Sequence, residues 1–420
     1  MSESAEGLRL IERLQAHLKP AELAALRACE DACRDAGLRL YLVGGPVRDL
    51  ILQRESVDLD LAIEGEVAPI AQKVASQLEA RLVLHPRFGT ANVSSREMNI
   101  DLAGTRRETY SHPGALPSVE PATLAEDLAR RDFTINAIAL QLTPKPGELV
   151  DPYRGTADVR SGLIRVLHER SFQDDATRML RAARYTARFG FKLQRDSEAL
   201  LKRDLSYLQT ISGPRLRREL SLLFEERDAV DGVLTAQRYG ILGAIHPALK
   251  LQQDVARRWR MALQGHRQAP LDELGFCLVA NAKDEGTAAS VAKWLHLTGR
   301  VERALNHLVR LRAQSDKLAQ ASSSPTVAVE MLEGYVPASI WALSLLDGGA
   351  AGEACREYLT RWRHMKPLLT GNDLLALGVS PGVAIGEMLR QLRRARLQVD
   401  EMTREQEIEL VRASLPGRGR

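Results

Sequence analysis

Short apolar runs separated by polar turns fill the first third of the chain. Leu40–Val43, Asp58–Ile63, Arg81–His85, Ala91–Ser94 and Asn99–Leu102 predict strands. Between them Pro20–Ala36, Pro46–Gln53 and Val67–Ala80 carry apolar residues at helical spacing. Strands interleaved with helices indicate an α+β or α/β head. His112-Pro113-Gly114-Ala115-Leu116-Pro117, with Pro121 close behind, predicts a mobile loop in that head. From about Ser171 the pattern turns helical almost to the end, most clearly over Ala176–Arg188 and Pro214–Glu226. Leu318–Pro325 is the best internal linker candidate, and Gly371–Gly386 punctuates two short helices before a basic helix over Glu387–Leu397. No repeat of 20–50 residues interrupts this order.

Composition narrows the class without naming a function. The 420 residues are 45% hydrophobic and 27% charged, which excludes a disordered or fibrous chain. No apolar run approaches the roughly 18 residues of a membrane span, and the opening MSESAEGLRLIERL lacks the layout of a signal peptide, so a cytoplasmic protein is expected. Four scattered cysteines (Cys29, Cys33, Cys277 and Cys355) suit neither a disulfide framework nor a zinc site; Cys29 and Cys33 read as helix packing. The net charge is only +4, but 48 of the 58 basic residues are arginine. Arginine suits phosphate and base edges, and a GC-rich genome produces the same bias.

The strongest chemical signal is LYLVGGPVRDLILQRESVDLDLAI, Leu40–Ile63. Asp58 and Asp60 lie two apart on a strand and so point to one face. Two carboxylates on an otherwise apolar strand are costly without a cation, and hard oxygen ligands suit Mg²⁺. Gly44-Gly45 lets backbone N–H groups turn toward an anion at the start of the next helix. Together these predict a triphosphate cradle beside a two-metal site. Neither GxxxxGK[ST] nor GxGxxG after the strand occurs, and the nine histidines form no HD or HxxxH cluster.

Gly44-Gly45-Pro46-Val47-Arg48-Asp49 with Asp58-Leu59-Asp60 resembles the signature of the class II tRNA nucleotidyltransferase/poly(A) polymerase family of the polymerase β superfamily. The resemblance continues through Arg87-Phe88-Gly89-Thr90, Asp101, Thr105–Tyr110, Arg130–Ala137, Asp151–Gly155 with Asp158, and Asp174–Arg184. It spans Leu40 to about Gly190, and GNDLLALG near 371 is similar to the tail of bacterial members. The family implies that a tRNA 3′-hydroxyl attacks the α-phosphate of CTP or ATP and pyrophosphate leaves. Asp58 and Asp60 would hold Mg²⁺ ions that activate the hydroxyl and steady the leaving oxygens. Asp101 is the candidate third carboxylate.

The resemblance also implies a protein template for the incoming base. Asp175 would accept from the exocyclic amine of C or A, and Arg178 would donate to the neighbouring ring acceptor. U and G present a carbonyl where the amine should be, and that mismatch is worth a few kcal/mol, on the order of a buried unpaired group. On the helix after Ser171 the two residues are three apart and so are neighbours on one face. Asp174-Asp175 departs from the usual Glu-Asp at the first position only. Arg131 is the candidate for triphosphate or ribose, Asn136 for ribose, and Asp132 completes that motif. Arg181 and Arg184 continue along the helix; Arg184 points away from Asp175, toward a phosphate or structural role. Arg48 and Asp49 either pair with each other or touch substrate.

The expected architecture is α+β: a nucleotidyltransferase head with a mixed sheet at 1–150, then an all-helical neck with the template at 151–225, body at 226–365 and tail at 366–420. Body and tail would grip the acceptor and TΨC arms of tRNA through phosphates, with Arg390, Arg393, Arg394 and Arg396 as contacts. The expected activity is complete CCA addition. Alternatives are addition of the terminal A alone, poly(A) synthesis, or a catalytically silent RNA-binding protein. The stretch from Arg106 to Asp127, with its Gly and Pro hinges, predicts that the terminal adenosine is added, because relatives that add only cytidines have this loop shortened.

Overall fold

The apolar runs of the first third assemble around one strand. β1 (Leu40–Val43) lies inside a sheet, not at its edge, and is buried on both faces. The computed structural model describes residues 3–54, 59–115, 117–265, 271–399 and 401–415. Helices α1 (Glu3–His17) and α2 (Pro20–Asp35) precede β1, and α3 (Gly45–Ile51) follows it. Then come β2 (Leu59–Ile63), α4 (Val67–Gln77), β3 (Arg81–His85), β4 (Thr90–Ser94) and β5 (Asn99–Gly104). A hairpin of β6 (Arg106–Thr109) and β7 (Ser118–Pro121), helix α5 (Leu124–Ala129), β8 (Ala139–Thr143) and β9 (Leu149–Val150) complete the head.

Seven strands order as β3-β4-β5-β2-β1-β8-β9. Only β2 and β5 pair in parallel, so the sheet is mixed, as the sequence predicts. Alternation sends Leu61, Leu102 and Ala91, which are in register, to one face, where α2 and α4 pack. Tyr41, Val43, Ala62 and Ala139 face the other way and close on Leu124 and Leu128 of α5. Each fully buried Leu or Ile contributes roughly 1.5–3 kcal/mol of apolar burial. Cys29 and Cys33 are buried on α2, and burial lifts their thiols to about 12 and about 11, as apolar packing requires.

The described residues of the expected loop at 112–117 connect β6 to β7, and Arg107 is bonded to Glu120 across that hairpin. Pro121 ends a strand; β6 is wholly polar, with Arg106 and Glu108 half-buried on one side, so no apolar alternation announced the hairpin.

Next come α6 (Gly155–Ser161), β10 (Leu163–Ile164), α7 (Ser171–Asp174), α8 (Thr177–Phe189), β11 (Lys192–Leu193), α9 (Arg195–Asp204), α10 (Gly213–Phe224), α11 (Ala229–Arg238) and α12 (Ile241–Ile245). β10 and β11 form a two-stranded parallel pair, so the neck is not wholly helical. Contacts divide the chain into two compact units, 1–245 and 246–420. Helix α11 packs on α8, which carries the neck beyond the expected residue 225.

The second unit is helical. Its Pro337–Leu346 helix is almost wholly buried against Leu271–Ala280, Gly299–Ala313 and Ala350–Thr360. The expected linker at Leu318–Pro325 is instead folded: Ser315–Gln320 runs into a 3-10 turn over Ala321–Ser323, and Pro325 opens the next helix. Leu318 and Ala321 are buried there, so the serines mark a joint between packed helices. Leu369, Leu374, Val379, Leu392 and Val411 form a separate small core in the tail. No helix among the described residues is long and apolar enough to cross a membrane.

Candidate active site

Strand β1 runs into Gly44, which has φ +73° and ψ −120°, a conformation open to glycine. Its N–H donates to the Ile138 carbonyl at 2.8 Å and is not available to a phosphate, contrary to the sequence expectation. What Gly44 supplies is room: a Cβ there would collide with Nη1 of Arg131. The turn opens a pocket of about 650 Å³ within the first unit, lined from Gly45 on α3 to Glu219 on α10. Eight arginines and six carboxylates line it, an excess of positive charge suited to a polyanion.

Asp60 lines the pocket, and Asp101 stands in register with it on the neighbouring parallel strand, so both point to the same face. Both are exposed. Asn92, in register with Asp101 on β4, donates to its Oδ1 at 2.8 Å and orients it. Asp58, expected as the other metal ligand, lies outside the described residues. An all-oxygen pair on one face fits a hard divalent cation.

Around the next corner the polar groups satisfy one another. Arg48 is buried, donates to Asn136 Oδ1 and to both oxygens of Asp49, and stacks on Phe189 at 4.4 Å. The Arg48–Asp49 pairing is thus the bracing one. Asn136 Nδ2 donates to Asp132 Oδ1 at 2.9 Å, so each end of that amide makes one bond within the protein, and the residue lines the pocket. Asp132 also accepts from the Phe133 N–H and from Arg181. Burial pushes the Asp132 carboxyl up, but Arg181 and Asn136 more than reverse this and hold it below the usual range. Arg131 donates to Asp127 and to the Asn136 carbonyl while its guanidinium faces the pocket.

The helix expected after Ser171, with Asp175 and Arg178 on one face, is instead interrupted at Asp175. Asp175, extended at φ −144°, closes α7 and accepts from the N–H (3.0 Å) and hydroxyl (2.7 Å) of Thr177, which starts α8. It therefore sits ahead of the helix and not on its face, and no ion pair joins it to Arg178. Arg178 is buried and donates to Ser171 Oγ at 2.7 Å and to the Arg130 carbonyl at 2.8 Å. Both residues line the pocket. Arg181 lines it too, paired with Asp132. Arg184 does not: it is buried against Glu219 and Glu226, which makes its role structural.

The sequence reading missed Glu108, Tyr110, Arg130, Arg188, Arg215, Arg218 and Glu219 in the lining. Tyr110 donates to Glu108, which also pairs with Arg130; burial and the Glu108 charge push the phenol up. On α10, Leu216, Leu220 and Leu223 are buried, and the i, i+3, i+4 stripe of Arg215, Arg218 and Glu219 faces the pocket. That stripe was legible as the polar side of an amphipathic helix, which ordinarily faces solvent.

In the second unit the basic helix spans Val383–Gln398. Arg396 is turned inward onto fully buried Glu407 and the Met402 carbonyl, which removes it from the expected phosphate contacts. Arg393 is engaged by Glu333 and the Met365 carbonyl. Arg390 and Arg394 are exposed, the latter beside Glu330.

Residues 40–165 match the Poly A polymerase head domain, and residues 190–252 match the probable RNA and SrmB-binding site of polymerase A. The chain is 30% identical to the A-adding tRNA nucleotidyltransferase of Halalkalibacterium halodurans, over 92% of this chain and 91% of that protein. It is 31% identical to the CC-adding tRNA nucleotidyltransferase of Deinococcus radiodurans, again over 92% and 91%. The chain belongs to the tRNA nucleotidyltransferase family. It is also 31% identical over 96% of its length to the A-adding tRNA nucleotidyltransferase of Geobacter sulfurreducens, and spans about half (48%) of that protein. Among solved structures it is similar to the Thermotoga maritima CCA-adding enzyme complexed with tRNA, at TM-score 0.76 and 26% identity over 97% of this chain and 98% of that one. A CCA-adding enzyme complexed with CTP gives TM-score 0.76 and 27% identity over 96% and 98%. The family's fold and its enzymatic class are therefore those expected from the motifs.

Proposed function

We propose that this nucleotidyltransferase transfers nucleotides from CTP and ATP to the 3′ end of tRNA, completing CCA and including its terminal adenosine. The reading is carried by one observation: Asp60, Asp175 and Arg178 line a single arginine-rich pocket. Relatives of the chain add A, CC or CCA to tRNA, and similar structures hold tRNA, CTP or ATP.

Asp60 and Asp101, with Asp58, are the residues that would hold Mg²⁺. Bound there, the ion supplies a Lewis acid that acidifies the attacking hydroxyl and steadies the leaving oxygen. The protein's own residues do the rest. Asn92 fixes Asp101, and Arg131 and Arg218 offer charge to the triphosphate. Asp175 accepts from the exocyclic amine of C or A, and Arg178 donates beside it. Arg48, Asp132 and Asn136 act behind the substrate by fixing the turn and Arg181.

Addition of the terminal A alone is the second reading, because relatives at 30–39% identity are named A-adding. The test offers purified protein tRNA ending at the discriminator base and tRNA ending in CC, each with CTP, ATP or both. Full activity extends both. Extension of only the CC-ended tRNA makes it A-adding, long A tails on arbitrary RNA make it a poly(A) polymerase, and no extension of CC-ended tRNA by ATP refutes the proposal.

A further inference from the structure

The two template residues are not bonded to each other, so something else must aim each of them. For Arg178 the anchors are Ser171 and the Arg130 carbonyl. For Asp175, all three hydrogen bonds fall on Oδ1: two from Thr177 and one from Nη2 of Arg215, at 2.9 Å. The terminal torsion of an aspartate is broad and roughly two-fold, so the helix cap alone leaves the carboxylate plane loosely set. Nη2 of Arg215 adds a bond to the same oxygen from a separate helix, which restricts that rotation. The same guanidinium donates through Nη1 to the Gly114 carbonyl at 3.2 Å, between β6 and β7. Gly114 has φ +82° and sits so close to Thr210, just ahead of α10, that a Cβ there would collide with the Thr210 carbonyl. Arg215 thus holds two acceptors from different segments, and both it and Asp175 are about three-quarters covered or more.

We infer that Arg215 is a positioning residue for base selection: it saturates Oδ1 of Asp175 and sets the carboxylate plane, so that Oδ2 alone is presented to the exocyclic amine of the incoming base. This rests on the template reading of Asp175. Arg215 acts on the base through Asp175. With two bonds from Thr177 and one from Arg215, Oδ1 is not left to accept from the base. A carbonyl-bearing base then meets one fixed acceptor and cannot be accommodated by rotating the carboxylate.

The test compares kcat/KM for all four NTPs on discriminator-ended and CC-ended tRNA, in wild type, Arg215→Ala, Arg215→Lys, Asp175→Ala and the double variant Asp175→Ala/Arg215→Ala. Thermal melting and tRNA affinity report folding separately. Arg215→Ala narrows the preference for ATP and CTP over GTP and UTP about tenfold, the low end for one hydrogen bond to a charged group. Arg215→Lys keeps the charge but loses the fork, and narrows the preference likewise while holding the KM for nucleotide closer to wild type. In the Asp175→Ala background, removing Arg215 narrows nothing further. If Asp175→Ala relaxes selection and both Arg215 variants keep it, the inference falls and the template stands. If lysine restores wild-type selection, charge alone suffices and the inference falls. If Asp175→Ala itself leaves selection unchanged, the template reading falls and takes the inference with it.

Discussion

Replacing Gly44 with alanine should damage the site out of proportion to the one methyl group added. The backbone there lies at φ +73° and ψ −120°, a region that costs a side-chain-bearing residue about 1–3 kcal/mol. The new Cβ would also collide with Nη1 of Arg131 and come within 3.1 Å of the Asn136 carbonyl. Arg131 must then give up its bond to the Asn136 carbonyl (3.2 Å) or loosen its pair with Asp127 (3.0 Å). Losing one such charge-assisted bond adds about 1.5–3 kcal/mol. The expected destabilisation is about 3–5 kcal/mol. At about 2–4 °C per kcal/mol for a unit of this size, the melting midpoint of the first unit should drop by roughly 10 °C. Gly37→Ala is the control: its φ is +67°, but a Cβ would meet nothing within 4 Å, so only about 1 kcal/mol should be lost. Urea unfolding of both variants, with KM for ATP measured below the transition, separates backbone strain from displacement of Arg131. Equal losses in the two variants, with KM unchanged, would refute the argument that Gly44 exists to make room for that guanidinium.

Asp60→Asn should abolish nucleotide addition while the melting curve and tRNA affinity stay near wild type; measurable turnover with Mg²⁺ present would remove Asp60 from the metal set. Acid stability follows from Asp127, where burial raises the carboxyl but Arg131 and Arg130 pull it below its ordinary value. A depressed carboxylate contributes stability above its unfolded pKa of about 3.9, and that contribution is lost as pH falls through the folded value. Wild type should therefore lose urea resistance steeply below about pH 4, and Asp127→Asn, weaker at neutral pH, should lose it less steeply; parallel curves would contradict this.

The residues that the sequence places correctly are those whose local pattern has one physical meaning. Leu40–Val43 reads as a buried strand because four apolar residues precede a Gly-Gly turn, and Asp60 falls on the pocket face by alternation alone. Asp175 was misread because Ala176 and Thr177 are at home inside a helix; the side chain that caps Thr177 two residues on was visible as an Asp-x-Thr signal but competes with helical spacing. The β6–β7 hairpin was hidden because β6 is wholly polar, and Leu318–Pro325 because small residues serve linkers and tight helix joints alike. Gly44 illustrates a third limit: the motif told where it sits, but not that the Ile138 carbonyl already takes its N–H.

The placement of the pocket lining has a consequence in time. Its residues run from Gly45 to Glu219, so no ribosome-bound fragment shorter than α10 can own a complete site. At roughly 5–20 residues per second, the first lining residue waits on the order of 10–35 s for the last. During that wait β1 has one neighbour in β2, but its other edge stays open until β8 emerges about a hundred residues later, where Leu40 meets Thr143. An apolar strand with an open edge is a template for wrong pairing. Synthesis of this chain therefore passes through a window in which a nascent-chain chaperone has a defined segment, Leu40–Val43, to shield.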